Sequence, residues 1–116
     1  MVRIVIPFAY HAPVRRVVSF FVRRIVVEGS SMLPTYHEGT ELLAVRRWRP
    51  VRVGEVVVAV DPRDPQRFLL KRCVARQGRL LDLRGDNPVF STDSRTFGLV
   101  PSRHIRYLVR APLQRS

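Results

Sequence analysis

The sequence predicts a small, mainly β protein, and three observations carry that reading. Nine prolines and six glycines punctuate 116 residues. The apolar residues between them fall in short Val- and Leu-rich runs, and no run is long enough to suggest an extended amphipathic helix. One domain is expected at this length, and 46% hydrophobic residues suffices for a core.

The elements follow in chain order. Residues 1–23 read as a basic and apolar segment preceding a folded domain over residues 24–116. Ile4 to Val14 is uncharged but contains Pro7, His11 and Pro13, and it falls short of the ~18 residues that span a bilayer. Arg15, Arg16, Arg23 and Arg24 interrupt the apolar character of Met1 to Val27, and no small-residue cleavage site follows, so a secretory signal is not expected. Peripheral contact with a membrane through Val14 to Val27 is compatible with this pattern. Arg24 to Glu28 reads as a β-branched strand running into Gly29-Ser30-Ser31, with a turn over Pro34 to Gly39. Glu41 to Val45 and Val56 to Val60 are further strands, separated by the basic loop Arg46 to Gly54. Asp61-Pro62-Arg63-Asp64-Pro65 is a turn, and Phe68 to Arg76 and Leu80 to Arg84 form a hairpin through Gln77-Gly78. A turn at Gly85 to Pro88, an irregular polar stretch from Ser91 to Arg95, and a last strand from about Ile105 to Val109 complete the chain.

Net charge and cysteine count limit the partners. A formal charge of +12 attracts nucleic acid, anionic lipid and acidic proteins alike. The arginines are dispersed, with no aromatic stacking platform and no reading helix, so no nucleic-acid partner is expected. The single Cys73 can form no internal disulfide, which suits a cytoplasmic setting. His11, His37 and His104 show no ligand spacing, and neither metal nor cofactor is expected.

The chemistry begins with a compositional oddity. Of 21 basic residues, Lys71 is the only lysine. A guanidinium stays protonated, whereas a buried amine can be neutral and accept a proton. On an extended strand Lys71 shares a face with Leu69 and Cys73, an apolar setting that disfavours the ammonium. The bland alternative is an incidental surface lysine in an arginine-biased sequence. A neutral lysine needs a hydroxyl to activate. Ser31 supplies one where a strand ends in a Gly- and Pro-shaped turn, whose backbone N–H groups can also face an oxyanion. Taken alone, a Ser-Ser turn before proline is more often only a turn. The third piece is Gly85-Asp86-Asn87-Pro88 followed by Ser91, Asp93 and Arg95. Ser91 can orient the amine while Asp86, Asp93 and Arg95 brace the loop; an ordinary Asx-turn loop with a surface ion pair is the alternative.

In order, these three segments resemble the boxes of the signal peptidase I family of serine endopeptidases over about Val26 to Val109. Ser31 before Met32 takes the nucleophile's place, Lys71 before Arg72 the base's, and Ser91, Asp93 and Arg95 fall on supporting positions. The resemblance implies packed antiparallel β-sheets of the fold shared with LexA-type self-cleaving repressors, reduced to the catalytic core, because the short segment between Lys71 and Gly85 leaves no room for a cap domain. It also implies a serine–lysine dyad, an oxyanion hole from the Ser31 N–H with Gly29 beside it, apolar substrate-pocket walls from Met32 and Leu33, and an extended polypeptide precursor bound along the strand edge leading to Ser31. Gly29 stands where some members carry a helpful serine, and Glu55 where the family usually has aspartate. A Ser-His-Asp triad through His37 or His104 is the competing arrangement, though Lys71 explains more residues at once.

Within the family the chain looks most like the short maturation proteases of nickel-type superoxide dismutase, which implies removal of an N-terminal propeptide. Cleavage of secreted preproteins is the second reading and a non-catalytic basic binding domain the third. A self-cleaving switch is disfavoured because no separate DNA-binding domain or cleavage-site loop is evident.

Overall fold

Among the described residues, eight strands form one hydrogen-bonded sheet: β1 (Val2–Val5), β2 (Val22–Val27), β3 (Glu41–Arg46), β4 (Val56–Asp61), β5 (Asp64–Gln77), β6 (Leu80–Arg84), β7 (Val100–Pro101) and β8 (Ile105–Pro112). These elements come from a computed structural model that describes residues 1–5 and 21–113. The sheet order is β1-β2-β3-β8-β4-β5-β6-β7, and every neighbouring pair is antiparallel. The mainly β, antiparallel architecture expected from the sequence is therefore observed, with the strands continuous in a single sheet.

Burial on both faces explains why β4 is almost wholly apolar instead of alternating. Val56 and Val58 pack into one cluster with Ile25, Met32, Leu42 and Leu70. Val57 and Ala59 point the other way, into a second cluster with Cys73, Leu81, Leu83 and Leu108. A strand covered on both sides selects Val and Ala at consecutive positions, each buried Val contributing about 1.5–3 kcal/mol. β5 has the same two-sided character: Leu70 joins the first cluster and Cys73 the second.

The differences from the sequence reading have local causes. β5 starts at Asp64, so the turn narrows to Pro62-Arg63, with Asp61 Oδ1 accepting from the Arg63 N–H at 2.8 Å. Pro65 is tolerated because it lies where β5 leaves the β4 register: Phe68 pairs with Val60 and Asp64 with Asp61, residues 65–67 have no partner on β4, and β6 begins its pairing only at Arg72. Asp93 caps a one-turn helix, α1 (Ser94–Phe97), by accepting the Arg95 N–H, and so converts the irregular polar stretch into a fixed corner. β1 and β2 take sheet residues from both sides of the expected boundary at 23/24. His11 and the first half of the proposed membrane-surface segment Val14 to Val27, residues 14–20, lie outside the described residues.

Candidate active site

β2 ends at Val27, and Gly29 (φ 82°) turns the chain so that Ser31 sits at the head of a tight turn. The turn is tied down from outside. Asn87 donates from its backbone N–H to the Ser31 carbonyl at 2.8 Å and from Nδ2 to the Ser30 carbonyl at 3.0 Å. Thr35 Oγ1 donates to Asp86 Oδ2 at 2.5 Å. Asp86 in turn holds Arg72 by a two-pronged pair at 2.9 and 2.8 Å, and Arg72 Nη1 reaches the Gly54 carbonyl at 2.8 Å. Asp86 and Arg72 thus couple the serine turn to the strand that carries Lys71.

Lys71 projects from β5 opposite Val57, on the face shared with Leu69 and Cys73, and is only 2% exposed. Its Nζ donates to Ser91 Oγ at 3.0 Å. Ser91 Oγ gives its own proton to Asp93 Oδ2 at 2.6 Å and also accepts from the Gly85 N–H at 3.2 Å. A hydroxyl has one proton. With that proton committed to Asp93, Ser91 can only accept from Lys71, and the amine's lone pair is left for another partner. Asp93 is fully buried and receives Arg95 Nε at 2.9 Å, Arg95 Nη2 at 2.6 Å and the Gly85 N–H at 2.9 Å.

The electrostatics follow from these contacts. Burial pushes the Lys71 amine down to about 8; Asp93 opposes the shift, while Arg95, Arg63 and Arg67 add to it. Burial alone would raise Asp93, but hydrogen bonds from Arg95, Ser91 and the Gly85 N–H hold its carboxyl well below the usual range. A buried anion beside an amine that is easily neutralised gives a fixed acceptor and a mobile proton.

Ser31 and Lys71 both line an open groove of about 480 Å³, together with Gly29, Leu69, Phe90 and Thr92. No hydrogen bond joins the Ser31 and Lys71 side chains; catalytic contacts of this kind often tighten only in the substrate complex. The Ser31 N–H has no partner among the described residues, whereas the Gly29 N–H is occupied by Glu38 Oε1 at 3.3 Å. Gly29 therefore shapes the turn without presenting a free donor.

Two expectations are corrected. Met32 is 1% exposed and packs in the first core cluster, and Leu33, although 36% exposed, does not line the groove. The turn reverses the chain after Ser31, which sends the next side chain inward. β2 also offers no open edge to a substrate, because it pairs with β1 on one side and β3 on the other. Among the described strands, β1 has an unpaired outer edge at the end of the sheet, and β5 before Arg72 has no strand on the side away from β4. His37 bonds to the Glu38 carbonyl and His104 to that of Val60; neither lines the groove with Ser31. Cys73 is buried in the second cluster, where burial raises its thiol pKa.

Arg63, Arg67 and Glu38 are groove residues that sequence reasoning missed. The signal for Arg67 was present, since the two-residue alternation that set Leu69 and Cys73 beside Lys71 places Arg67 on the same face.

Comparison with known proteins gives consistent relationships. Residues 1–84 match the family described as signal peptidase, peptidase S26. The chain is 35% identical over 101 residues to the mitochondrial ATP-independent inner membrane protease subunit 1a of Arabidopsis thaliana, covering 65% of this chain and 60% of that one. It is 30% identical over 109 residues to the mitochondrial inner membrane protease subunit 1 of Schizosaccharomyces pombe, covering 74% and 69%. Subunit 2 of the Mus musculus protease is 27% identical over 99 residues, covering 64% and 57%. The chain thus matches about 60% of the length of the first of these relatives.

Proposed function

Because the chain belongs to the signal peptidase family, peptidase S26, we propose that it is a serine endopeptidase with Ser31 as nucleophile and Lys71 as general base. The observation that carries this reading is the ordered relay Lys71–Ser91–Asp93, which fixes a buried, easily neutralised amine on the wall of the groove that also contains Ser31. In the proposed reaction Lys71 Nζ takes the Ser31 hydroxyl proton while Oγ bonds to the scissile carbonyl carbon, and the carbonyl oxygen becomes an oxyanion facing the Ser31 N–H. Collapse breaks the C–N bond, with the proton passing from Lys71 to the departing amine. Lys71 then deprotonates water, which attacks the acyl carbon, and Ser31 Oγ leaves with the proton.

The substrate is an extended polypeptide that adds a strand to the unpaired edge of β5, so that backbone hydrogen bonds supply much of the affinity. The specific role proposed is removal of an N-terminal propeptide, with nickel-type superoxide dismutase precursor as the candidate substrate. The names of the relatives favour a second reading, cleavage of precursors at a membrane.

Intact-mass spectrometry of that precursor, incubated with wild type, Ser31→Ala and Lys71→Arg, tests the proposal. Loss of one N-terminal propeptide with wild type only is expected. Lys71→Arg should cost about 10²–10⁴-fold in rate, because a guanidinium cannot accept the proton. An uncut precursor, with secreted preproteins cut instead, moves the role to the second reading. Cleavage that survives Ser31→Ala removes the dyad altogether.

A further inference from the structure

The groove beside Ser31 and Lys71 is electrically uneven. Arg67, Leu69 and Lys71 are successive same-face residues of β5, and Arg67 and Lys71 stand four residues apart, about 13 Å at ~3.3 Å per residue. Arg63 also reaches the groove, but its charge is already answered. Its Nε and Nη2 donate to Asp61 at 3.1 and 2.9 Å, and its guanidinium lies 5.1 Å from the Phe97 ring centre. Glu28, across the groove, pairs with Arg3 at 3.5 Å, and Glu38 holds the Gly29 N–H. Of the charged side chains lining the groove, Arg67 alone has neither an ion pair nor a side-chain hydrogen bond among the described residues. It projects from the stretch of β5 that no other described strand pairs on the side away from β4.

We propose that Arg67 is a specificity residue that binds a carboxylate side chain of the substrate, three to five residues from the scissile bond. The inference rests on the protease reading above. A strand added along β5 runs at the same pitch as β5, so a substrate whose reacting carbonyl lies level with Lys71, in the groove shared with Ser31, brings a side chain about 13 Å further along to Arg67. Two parallel N–H groups match a carboxylate geometrically, and closure of the groove by the substrate removes the water that makes exposed ion pairs weak. A neutral glutamine at that position forfeits the charge assistance.

Peptides carrying a single Glu, stepped through positions on both sides of the cut and each paired with its Gln counterpart, provide the test. The quantity read is the Glu/Gln ratio of kcat/KM for wild type, Arg67→Gln and Arg67→Glu. Wild type should give a ratio of about ten at one position three to five residues from the cut and about one elsewhere. Arg67→Gln should flatten the ratio, and Arg67→Glu should drop it below one and favour Lys there. Arg67 also helps keep Lys71 neutral, but both peptides meet the same enzyme, so a change in Lys71 protonation cancels in the ratio. A flat ratio in wild type, or a Glu preference that survives Arg67→Glu, overturns the proposal while Ser31-dependent cleavage of the Gln peptides leaves the protease reading standing. Failure of wild type to cut any peptide overturns both.

Discussion

A buried lysine is costly to the fold and useful to the chemistry, and Lys71 allows the two to be separated. Its pKa is lowered from 10.5 to about 8, so the folded state sheds this proton before the unfolded state does. The sign follows: folding is penalised below pH 8, by about 3 kcal/mol, and the penalty fades as pH rises to 10.5. Replacing the amine by a methyl-terminated chain of similar length removes that penalty. Lys71→Met should therefore raise stability at neutral pH by about 1–3 kcal/mol in urea unfolding while abolishing peptide hydrolysis. The proposed base works only when neutral, so kcat/KM of wild type should climb about tenfold per pH unit below pH 8 and level off above it. A profile flat through pH 8 would remove Lys71 from the role. At this scale much was legible: a lone lysine among arginines and strand alternation place Lys71 beside Leu69 and Cys73. Alternation cannot report the direction taken after a turn, and for that reason Met32 was expected in the pocket and is found in the core.

The strands of the hairpin β5–β6 were readable because their pairing is local and the turn Gln77-Gly78 is marked by a glycine with φ 60°. β1 and β7 were not, since four- and two-residue strands exist only through partners distant in sequence. The corner from Gly85 to α1 lies between these cases: its residues were recognised as a cluster, but the cap on α1 that organises it was not. Gly85 is the tightest point of that corner. A Cβ there would collide with Ser91 Oγ and come within 2.5 Å of the Ser31 carbonyl oxygen. Gly85→Ala must displace the residue that orients Lys71, the turn that carries Ser31, or both. Hydrolysis should fall by about 10²-fold or more, since small misplacements are expensive in catalysis, with a stability loss of about 1–3 kcal/mol. Near-normal kcat/KM in this variant would show that Ser91 is not needed to aim the amine.

Across the whole molecule, the sheet is stabilised by two apolar clusters that share β4, β5 and β8, so neither can open alone without stripping cover from the other. Cys73 reports on this. It is 0% exposed, and burial raises its thiol pKa, so thiol labelling should be slow in the native protein and should follow the same urea midpoint as the loss of circular dichroism. Labelling at a rate independent of urea would instead reveal a local opening at the β5–β6 end. Composition indicated a β protein but not the order of its strands, because order is decided by contacts between segments far apart in sequence. The last strand in the chain, β8, lies between β3 and β4 near the middle of the sheet. On a ribosome, Ser31, Lys71 and Asp93 are all made before the strand that joins their two halves. A nascent chain therefore carries every proposed reactive group before it carries the strand that unites the sheet, and hydrolysis by the proposed dyad should begin only after residues 105–112 have emerged.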